Sequence, residues 1–473
     1  MRTRLFLTAA TLVAFGASLG SSFHFDDYAI FSDPVLTSGS GWRELWSLSQ
    51  TRPLTNLSFW LNYQIGGDDP LGYHLLNLLL HFGAVLLVYE CLTRLIGEPA
   101  ALVGSAIFAI HPIQAEAVNY VWGRSIVLAS LLCLASLLAW LKGRHWAAVA
   151  WFVLALLAQK EVAAFPLVLL LFDRRRLAPL AAMLLASVAA GARAIYATAV
   201  VPGAPAGLQA GITPSNYFLA QGTVILRYFR LLIVPYGFTV DPDIRVPVWW
   251  VGILAWLAIV AVMIVFHRYA GKTVALYLVA GLVLLLPSSS IFPAADLSAD
   301  RRMYLPMAAF AAAAGLLLSK LRPIAISVSV VVAFTGLSLA RTFVWMDEAS
   351  LWTEAVRRAP AKVRPKIQLA RAVPAGRALE LLNQARELAP NDPEIAAEIG
   401  KTLLAEGQAD AALTEFGRAL ALNPRDARSF NNRGVALEQL GQTEAARADF
   451  KRALELDPSF NEARQNLQKL PAQ

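Results

Sequence analysis

Two adjacent acidic residues, Asp26 and Asp27, stand directly after the first apolar run of the chain, in the stretch FHFDDYAIFSDP. A carboxylate at the end of a hydrophobic segment can act as a general base for a hydroxyl group that approaches from the water side. Adjacent acids interact, so their titration belongs to the pair. The sequence therefore leaves open which of the two would take the proton.

Further ionisable residues interrupt the later apolar runs of the chain. They lie in four short stretches: HPIQAE (His111, Glu116), GRS (Arg124), QKE (Lys160, Glu161) and DRR (Arg301, Arg302). Charged side chains at membrane depth are costly, which makes them candidates for function. Taken singly, each also fits a helix cap or an interfacial anchor. His74 could line the same cavity or bond a neighbouring helix. The functional interpretation depends on these residues converging.

The composition indicates where such a site would lie. The 473 residues are 57% hydrophobic and only 16% charged, and the mean hydropathy is +0.52. These values exclude an ordinary soluble protein and predict a polytopic, all-α membrane protein. The two cysteines, Cys91 and Cys133, fall inside apolar runs, so a disulfide framework is not expected.

Basic residues in short loops predict the orientation of the chain. They alternate between the ends of the apolar runs, as in the RRR stretch at residues 174–176, and such loops face the cytoplasm. About eleven crossings follow, with the N-terminus inside and the C-terminus outside. Residues 217–236 are interpreted as an amphipathic or re-entrant element. A cleaved signal peptide competes with an uncleaved first helix at the N-terminus. The acids and arginines are thereby predicted to share the outer side.

The apolar runs end near residue 345, which predicts a membrane domain at 1–345 and a soluble domain at 346–473. The soluble part repeats itself at an offset of 34 residues: Phe416 aligns with Phe450, and Pro424 with Pro458. This period is that of tetratricopeptide repeats, which form an α-solenoid. Gly400 and Gly434 occupy the position where close helix packing needs a small residue. The solenoid predicts a concave surface that binds a protein or peptide.

These features together suggest a transferase that uses a lipid-linked sugar. Arginines would hold the donor phosphate through bidentate hydrogen bonds. An aspartate would accept the proton of the acceptor hydroxyl as it attacks the sugar. The His and acid spacing matches no standard ligand set, so no metal or other cofactor is expected. Nothing in the sequence predicts nucleic-acid binding.

The order of the motifs resembles a known family. FHFDDYAI, FAIHPIQAEAVNYVWGRS, LLAQKEVAAFPLVLLLFD and DLSADRRMYLPM, followed by the repeats, are similar to the transmembrane and tetratricopeptide-repeat (TMTC) O-mannosyltransferases of the GT-C fold. The resemblance implies inverting transfer, usually of mannose, from a polyprenyl phosphate to Ser or Thr of a protein on the outer face of the membrane.

The same resemblance implies roles for individual residues. Asp26 and Asp27 match the family's catalytic acid pair. The phosphate-binding residues implied are Arg124, Lys160, Arg301 and Arg302, although this chain reads ADRR where the family reads AER, which shifts the acid, Asp300, by one position. His74, His111, Glu116 and Glu161 are candidates for the cavity wall. The Ala- and Leu-rich, basic composition suggests a bacterial inner-membrane protein whose repeats lie in the periplasm.

Two other classes of function fit the same sequence. The repeats could make the chain a non-catalytic membrane scaffold that gathers envelope proteins. The acids and arginines could instead line the substrate pathway of a transporter or flippase for lipid-linked sugars. A scaffold would bind normally without either acid, and a flippase would move the donor without forming a product.

Overall fold

The computed structural model describes residues 1–200, 211–294, 296–320 and 325–471, and these residues contain helices and no β-strand. The prediction of an all-α chain is confirmed. The chain divides into two compact units, Met1–Ser350 and Leu351–Gln473, a few residues after the predicted domain boundary.

The first unit holds the apolar helices. Its α-helices are, in chain order, α1 (Arg2–Phe15), α2 (Ala29–Ser32), α3 (Pro34–Thr37), α4 (Pro53–Gly66), α5 (Pro70–Ile96), α6 (Glu98–Ile110), α7 (Ala115–Asn119), α8 (Arg124–Leu141), α9 (His145–Ala158), α10 (Phe165–Phe172), α11 (Leu177–Val200), α12 (Pro214–Ile233), α13 (Trp249–Tyr269), α14 (Lys272–Leu285), α15 (Tyr304–Leu318) and α16 (Ala325–Val344). Short 3₁₀-helices lie between several of them: Gly16–Gly20, Phe25–Tyr28, Gly41–Trp46, Pro112–Gln114, Val121–Gly123, Lys160–Val162 and Asp300–Met303.

Six helices within the described ranges are long and apolar enough to cross a membrane, and a seventh span is formed if Glu98–Ile110 and Pro112–Asn119 count together. That pair bends by 46° at Pro112, because proline lacks the N–H that would continue the helix. The helix Pro214–Ile233 is not one of the candidate spans. The chain is a multi-pass, all-helical protein, and the count of about eleven crossings stays a prediction.

The core of this unit is built on α5, α6, α8 and α15, which pack on one another. Helices α6 and α15 approach closely through glycines: a Cβ on Gly104 would lie 2.7 Å from the carbonyl oxygen of Ala311, and one on Gly315 would lie 2.3 Å from that of Ala100. Small residues at helix interfaces permit such backbone contact in membrane proteins. This packing anchors the loops at the ends of these four helices.

The second unit consists of paired helices. The helix α17 (Glu348–Arg358) leads into it, and the pairs that follow are α18 (Val363–Arg371) with α19 (Ala375–Leu388), α20 (Pro393–Ala405) with α21 (Ala409–Leu422), and α22 (Ala427–Gln439) with α23 (Thr443–Leu456), before the final α24 (Asn461–Lys469).

Gly400 and Gly434 lie where the helices of a pair pack closely, as their position in the repeat predicts. A Cβ on Gly400 would lie 2.7 Å from the ring of Phe416, and one on Gly434 would lie 2.6 Å from the ring of Phe450. The same glycine–phenylalanine contact thus closes two successive helix pairs. The tetratricopeptide prediction is confirmed.

Candidate active site

The two adjacent acids occupy different environments on the 3₁₀-helix Phe25–Tyr28. Asp27 is fully buried, and its carboxylate accepts hydrogen bonds from the backbone N–H of His24 at 3.0 Å and of Trp122 at 2.7 Å. Burial raises the pKa of Asp27 to about 8, against the opposing effect of these N–H groups. Asp26 is exposed. One acid therefore connects two segments of the backbone, while the other can reach a substrate.

Residues 23–33, which carry the two acids and which we call the acid loop, are also held by the segment that precedes the repeats. The ring Nε2 of His24 lies 2.8 Å from the carbonyl oxygen of Trp345. The backbone N–H of Phe25 donates to Oε1 of Glu348 at 3.1 Å. Phe25 has a φ of +22°, a value rarely adopted by residues with a side chain. The backbone immediately before Asp26 is thus held in an unfavourable conformation by contacts with residues far along the chain.

Glu116 positions one of the predicted phosphate-binding arginines. It follows the bend at Pro112 and is buried. Its carboxylate forms an ion pair with the guanidinium of Arg301 and accepts the backbone N–H of Arg301 at 3.2 Å. The guanidinium of Arg301 also lies 6.0 Å from the ring centre of Tyr120. The structure brings residues from two distant motifs together in this way.

Five side chains from separate parts of the sequence form what we call the acid–arginine cluster: Asp26, Arg52, Tyr120, Glu161 and Arg301. Burial is the main cause of the lowered pKa of Arg52. Its ionisation is also affected by the nearby charges of Glu161, Arg301 and Asp26. Burial also raises the pKa of Tyr120, and the nearby acids Asp27 and Asp26 add to that effect. The cluster combines an exposed carboxylate with two guanidinium groups, which suits proton removal beside a bound anion.

Arg302 and Asp300 support the loop from which Arg301 comes. Arg302 is buried and donates to the carbonyl oxygens of Asp296 at 2.8 Å and Leu297 at 3.3 Å. Asp300 forms an ion pair with Arg227 of α12, with 2.5 Å between Oδ1 and Nη1. The helix Pro214–Ile233 is thereby attached to this loop.

Arg124 lies apart from the exposed acid, in the interior. It is fully buried and donates to the side-chain oxygens of Asn77 at 2.8 Å and Asn62 at 2.6 Å, and to the carbonyl oxygen of Tyr73 at 3.0 Å. Its guanidinium also stacks 4.5 Å from the ring centre of Phe59. Because its partners come from α4 and α5, we propose that Arg124 fixes these helices rather than binding the phosphate itself.

The remaining predicted residues are divided between the interior and the surface. His74 and His111 are fully buried. His111 accepts the backbone N–H of Ile113 at 3.1 Å and so caps the turn that carries Glu116. Lys160 is exposed and Glu161 partly buried, and both lie on the 3₁₀-helix Lys160–Val162.

Sequence reasoning did not select Arg52 or Tyr120. Arg52 immediately precedes Pro53, at the start of a stretch that has the pattern of an interfacial helix, where a basic residue is ordinarily an anchor. Tyr120 lies four residues before Arg124, within the same motif. Its position in that motif was the one feature of the sequence that could have selected Tyr120. No local pattern could have selected Arg52.

The comparison with family models agrees with the repeats in the second unit. The family model for the tetratricopeptide repeat matches residues 397–459. Among solved structures, a crystal structure of MamA has 20% sequence identity and covers 25% of this chain and 72% of its own, with a TM-score of 0.24.

Relatives that match between 29% and 77% of this chain are named protein O-mannosyl-transferases, as the motifs predict. The protein O-mannosyl-transferase F38B6.6 of Caenorhabditis elegans is 25% identical over 409 residues, which cover 77% of this chain and 59% of that protein. The protein O-mannosyl-transferase Tmtc2 of Drosophila melanogaster is 36% identical over 160 residues, 30% of this chain and 17% of that protein. The human protein O-mannosyl-transferase TMTC4 is 31% identical over 168 residues, 29% of this chain and 23% of that protein. The chain thus spans less than two thirds of the length of these relatives. By these matches the chain is a relative of named protein O-mannosyl-transferases, TMTC proteins among them, over part of their length.

Proposed function

We propose that this protein is a membrane-bound O-glycosyltransferase that moves a sugar, mannose in the first instance, from a polyprenyl-phosphate donor to Ser or Thr of a protein. The names of its relatives support protein O-mannosyl transfer. The observation that carries the proposal is the placement of the exposed Asp26 in one cluster with Arg301 and Tyr120. In the sequence, Tyr120 lies 94 residues after Asp26, and Arg301 lies 181 residues after Tyr120.

The chemistry assigns one task to each group. Asp26 accepts the proton of the acceptor hydroxyl as its oxygen bonds to C1 of the sugar. The bond between C1 and the phosphate oxygen breaks on the opposite face, so the configuration at C1 inverts. The electron pair leaves with the polyprenyl phosphate, whose negative charge Arg301 stabilises. No cofactor beyond the donor is required.

The second unit supplies the acceptor in this proposal. Tetratricopeptide repeats form concave surfaces that bind peptides and proteins. We assign the repeats to acceptor recruitment on the outer side of the membrane, which in a bacterium would be the periplasm. The basic loops predicted to face the cytoplasm support this orientation.

The test compares wild type with Asp26→Asn in lipid nanodiscs. The donors are polyprenyl-phosphate mannose and glucose, and the acceptor is an envelope protein extract. Since general-base assistance contributes roughly 10²–10⁴-fold, we expect Asp26→Asn to lower transfer by at least about a hundredfold. Asp33→Asn is the matched control, since Asp33 belongs to the same loop and caps α3 through the N–H of Val35 at 2.9 Å.

Two results would overturn the proposal. Wild type that binds envelope proteins and transfers no sugar from any donor would support the scaffold. Movement of the donor across the bilayer without a glycosylated product would support the flippase.

A further inference from the structure

Arg52 stands out among the arginines around the acid–arginine cluster because of the partners it has. It lies just before α4 and is partly buried. Its guanidinium is 5.0 Å from the ring centre of Trp122 and donates to Oγ of Ser125 at a long 3.5 Å. Glu161 and Asp26 are close enough to affect its charge. Among the described residues, however, it forms no ion pair within 4.0 Å.

Each neighbouring arginine already has a partner inside the protein, so the charge that Arg301 offers to the phosphate is partly offset by Glu116. Arg301 is paired with Glu116, and Arg227 with Asp300. Arg302 donates to carbonyl oxygens of its own loop, and Arg124 to amide and carbonyl oxygens in the interior. A guanidinium that is partly buried and has no carboxylate within ion-pair distance binds an anion favourably. The anion then supplies the negative charge that would otherwise come from a carboxylate partner.

Polar groups next to Arg52 could contribute to an anion-binding site. Oγ of Ser125 also accepts from Nε2 of Gln159 at 3.3 Å, so Arg52 and Gln159 converge on one hydroxyl. The next residue, Lys160, is exposed and forms no ion pair in the part of the chain that the structure describes. Arg52 and Gln159 thus meet at Ser125 from two segments of the chain, and Lys160 follows Gln159 in the sequence.

The geometry points to a phosphate subsite made of Arg52, Ser125 and Gln159, in which Arg52 anchors the phosphate of the polyprenyl donor. The planar guanidinium offers paired N–H groups that match two phosphate oxygens. Trp122 holds its plane in place through the cation–π contact. This assignment rests on the proposed function for the identity of the ligand, and on the contacts of Arg52 for its site.

Binding of the lipid phosphate without its sugar tests the subsite. The probe is undecaprenyl phosphate, with the uncharged undecaprenol as comparison and phosphatidylglycerol as competitor, added to the full chain in phosphatidylcholine nanodiscs. The variants are Arg52→Gln, Arg52→Lys and the control Arg43→Gln. Arg43 is an apt control, because it also stacks on a tryptophan, 5.5 Å from the ring centre of Trp42, but is exposed.

We expect Arg52→Gln to weaken binding of undecaprenyl phosphate by about tenfold or more, since a charge-assisted bond is lost. Binding of undecaprenol should not change. Arg52→Lys should lie between wild type and Arg52→Gln, and Arg43→Gln should match wild type. If Arg52→Gln fails to fold, Arg52→Lys decides the matter: weaker phosphate binding supports the subsite, and wild-type binding overturns it.

Three results would contradict the assignment. Equal affinity of wild type and Arg52→Gln would remove Arg52 from the subsite. Equal losses for undecaprenyl phosphate and undecaprenol would make its role structural. Displacement of the probe by phosphatidylglycerol at equal concentration would make the site one for ordinary lipid headgroups.

Absence of sugar transfer by wild type would overturn the proposed function alone, because the binding measurement requires no turnover.

Discussion

The carboxylate of Asp27 accepts the backbone N–H of Trp122 at 2.7 Å, across 95 residues of sequence. Through this bond the acid loop is attached to the segment that leads into α8. Asp26, its exposed neighbour, makes no such connection to Trp122. We therefore propose separable functions for the two acids of the motif, one in structure and one at the surface where a substrate can arrive.

The first prediction separates these functions by thermal stability. Asparagine at position 27 can accept only one of the two N–H bonds. At pH 4, where the raised pKa of Asp27 costs little stability, Asp27→Asn should therefore lose about 1–3 kcal/mol of stability and lower the thermal midpoint. Asp26→Asn should leave the midpoint unchanged while it lowers transfer by at least about a hundredfold. Thermal unfolding followed by intrinsic fluorescence checks both variants. Equal midpoints for wild type and Asp27→Asn would show that the buried bonds contribute little.

The second prediction concerns pH. The pKa of Asp27 is raised to about 8 in the folded protein, and unfolding returns it to the usual value near 3.8. Between these values the folded state binds the proton that the unfolded state releases, so stability is greatest at low pH and falls as pH rises toward 8. The slope is at most about 1.4 kcal/mol per pH unit. The thermal midpoint of Asp27→Asn should depend less on pH between 5 and 8. Parallel profiles for the two proteins would contradict this assignment.

The third prediction concerns Glu348, which accepts the N–H of Phe25 beside the unfavourable φ of +22°. Such a backbone conformation costs about 1–3 kcal/mol and persists only when its surroundings impose it. Glu348→Ala should let the acid loop relax and lower kcat by about tenfold, because Asp26 is then misplaced. Glu348→Gln keeps an acceptor oxygen and should restore most of kcat.

Steady-state kinetics on both Glu348 variants provide the readout. A fall in kcat with little change in the KM for the donor is the expected pattern for Glu348→Ala. A variant that instead raised KM alone would place Glu348 in donor binding, and identical losses for the alanine and glutamine variants would exclude the hydrogen bond as the cause.

The fourth prediction concerns the repeats. A methyl group on Gly434 would meet the ring of Phe450, so Gly434→Ala should destabilise this helix pair by about 1–3 kcal/mol. Gly417, on the preceding helix α21, has no atom within 4 Å of the corresponding position, so Gly417→Ala should leave the α22–α23 pair unchanged. Hydrogen exchange of α22 and α23 in the full chain measures the difference. Equal protection in both variants would contradict the packing role of Gly434.

Local patterns in the sequence were enough to determine the all-helical class, the repeats and the relationship to the TMTC proteins. Apolar runs, a period of 34 residues and short motifs are each readable within one segment, because helix periodicity and repeat spacing do not depend on distant residues. The small positions Gly400 and Gly434 were correctly predicted for the same reason. The motifs also selected Asp26, Glu116 and Arg301 as candidates.

Only the tertiary structure decided where those residues lie and what they contact. It buried Asp27 and exposed Asp26, paired Glu116 with Arg301, and placed Arg124 in the interior. It also brought Arg52 and Tyr120 to a site from which the sequence had omitted them. The physical reason is that exposure and charge pairing depend on contacts between segments far apart in the chain, such as the 323 residues between Phe25 and Glu348. No local pattern records which of two neighbouring carboxylates will face the interior.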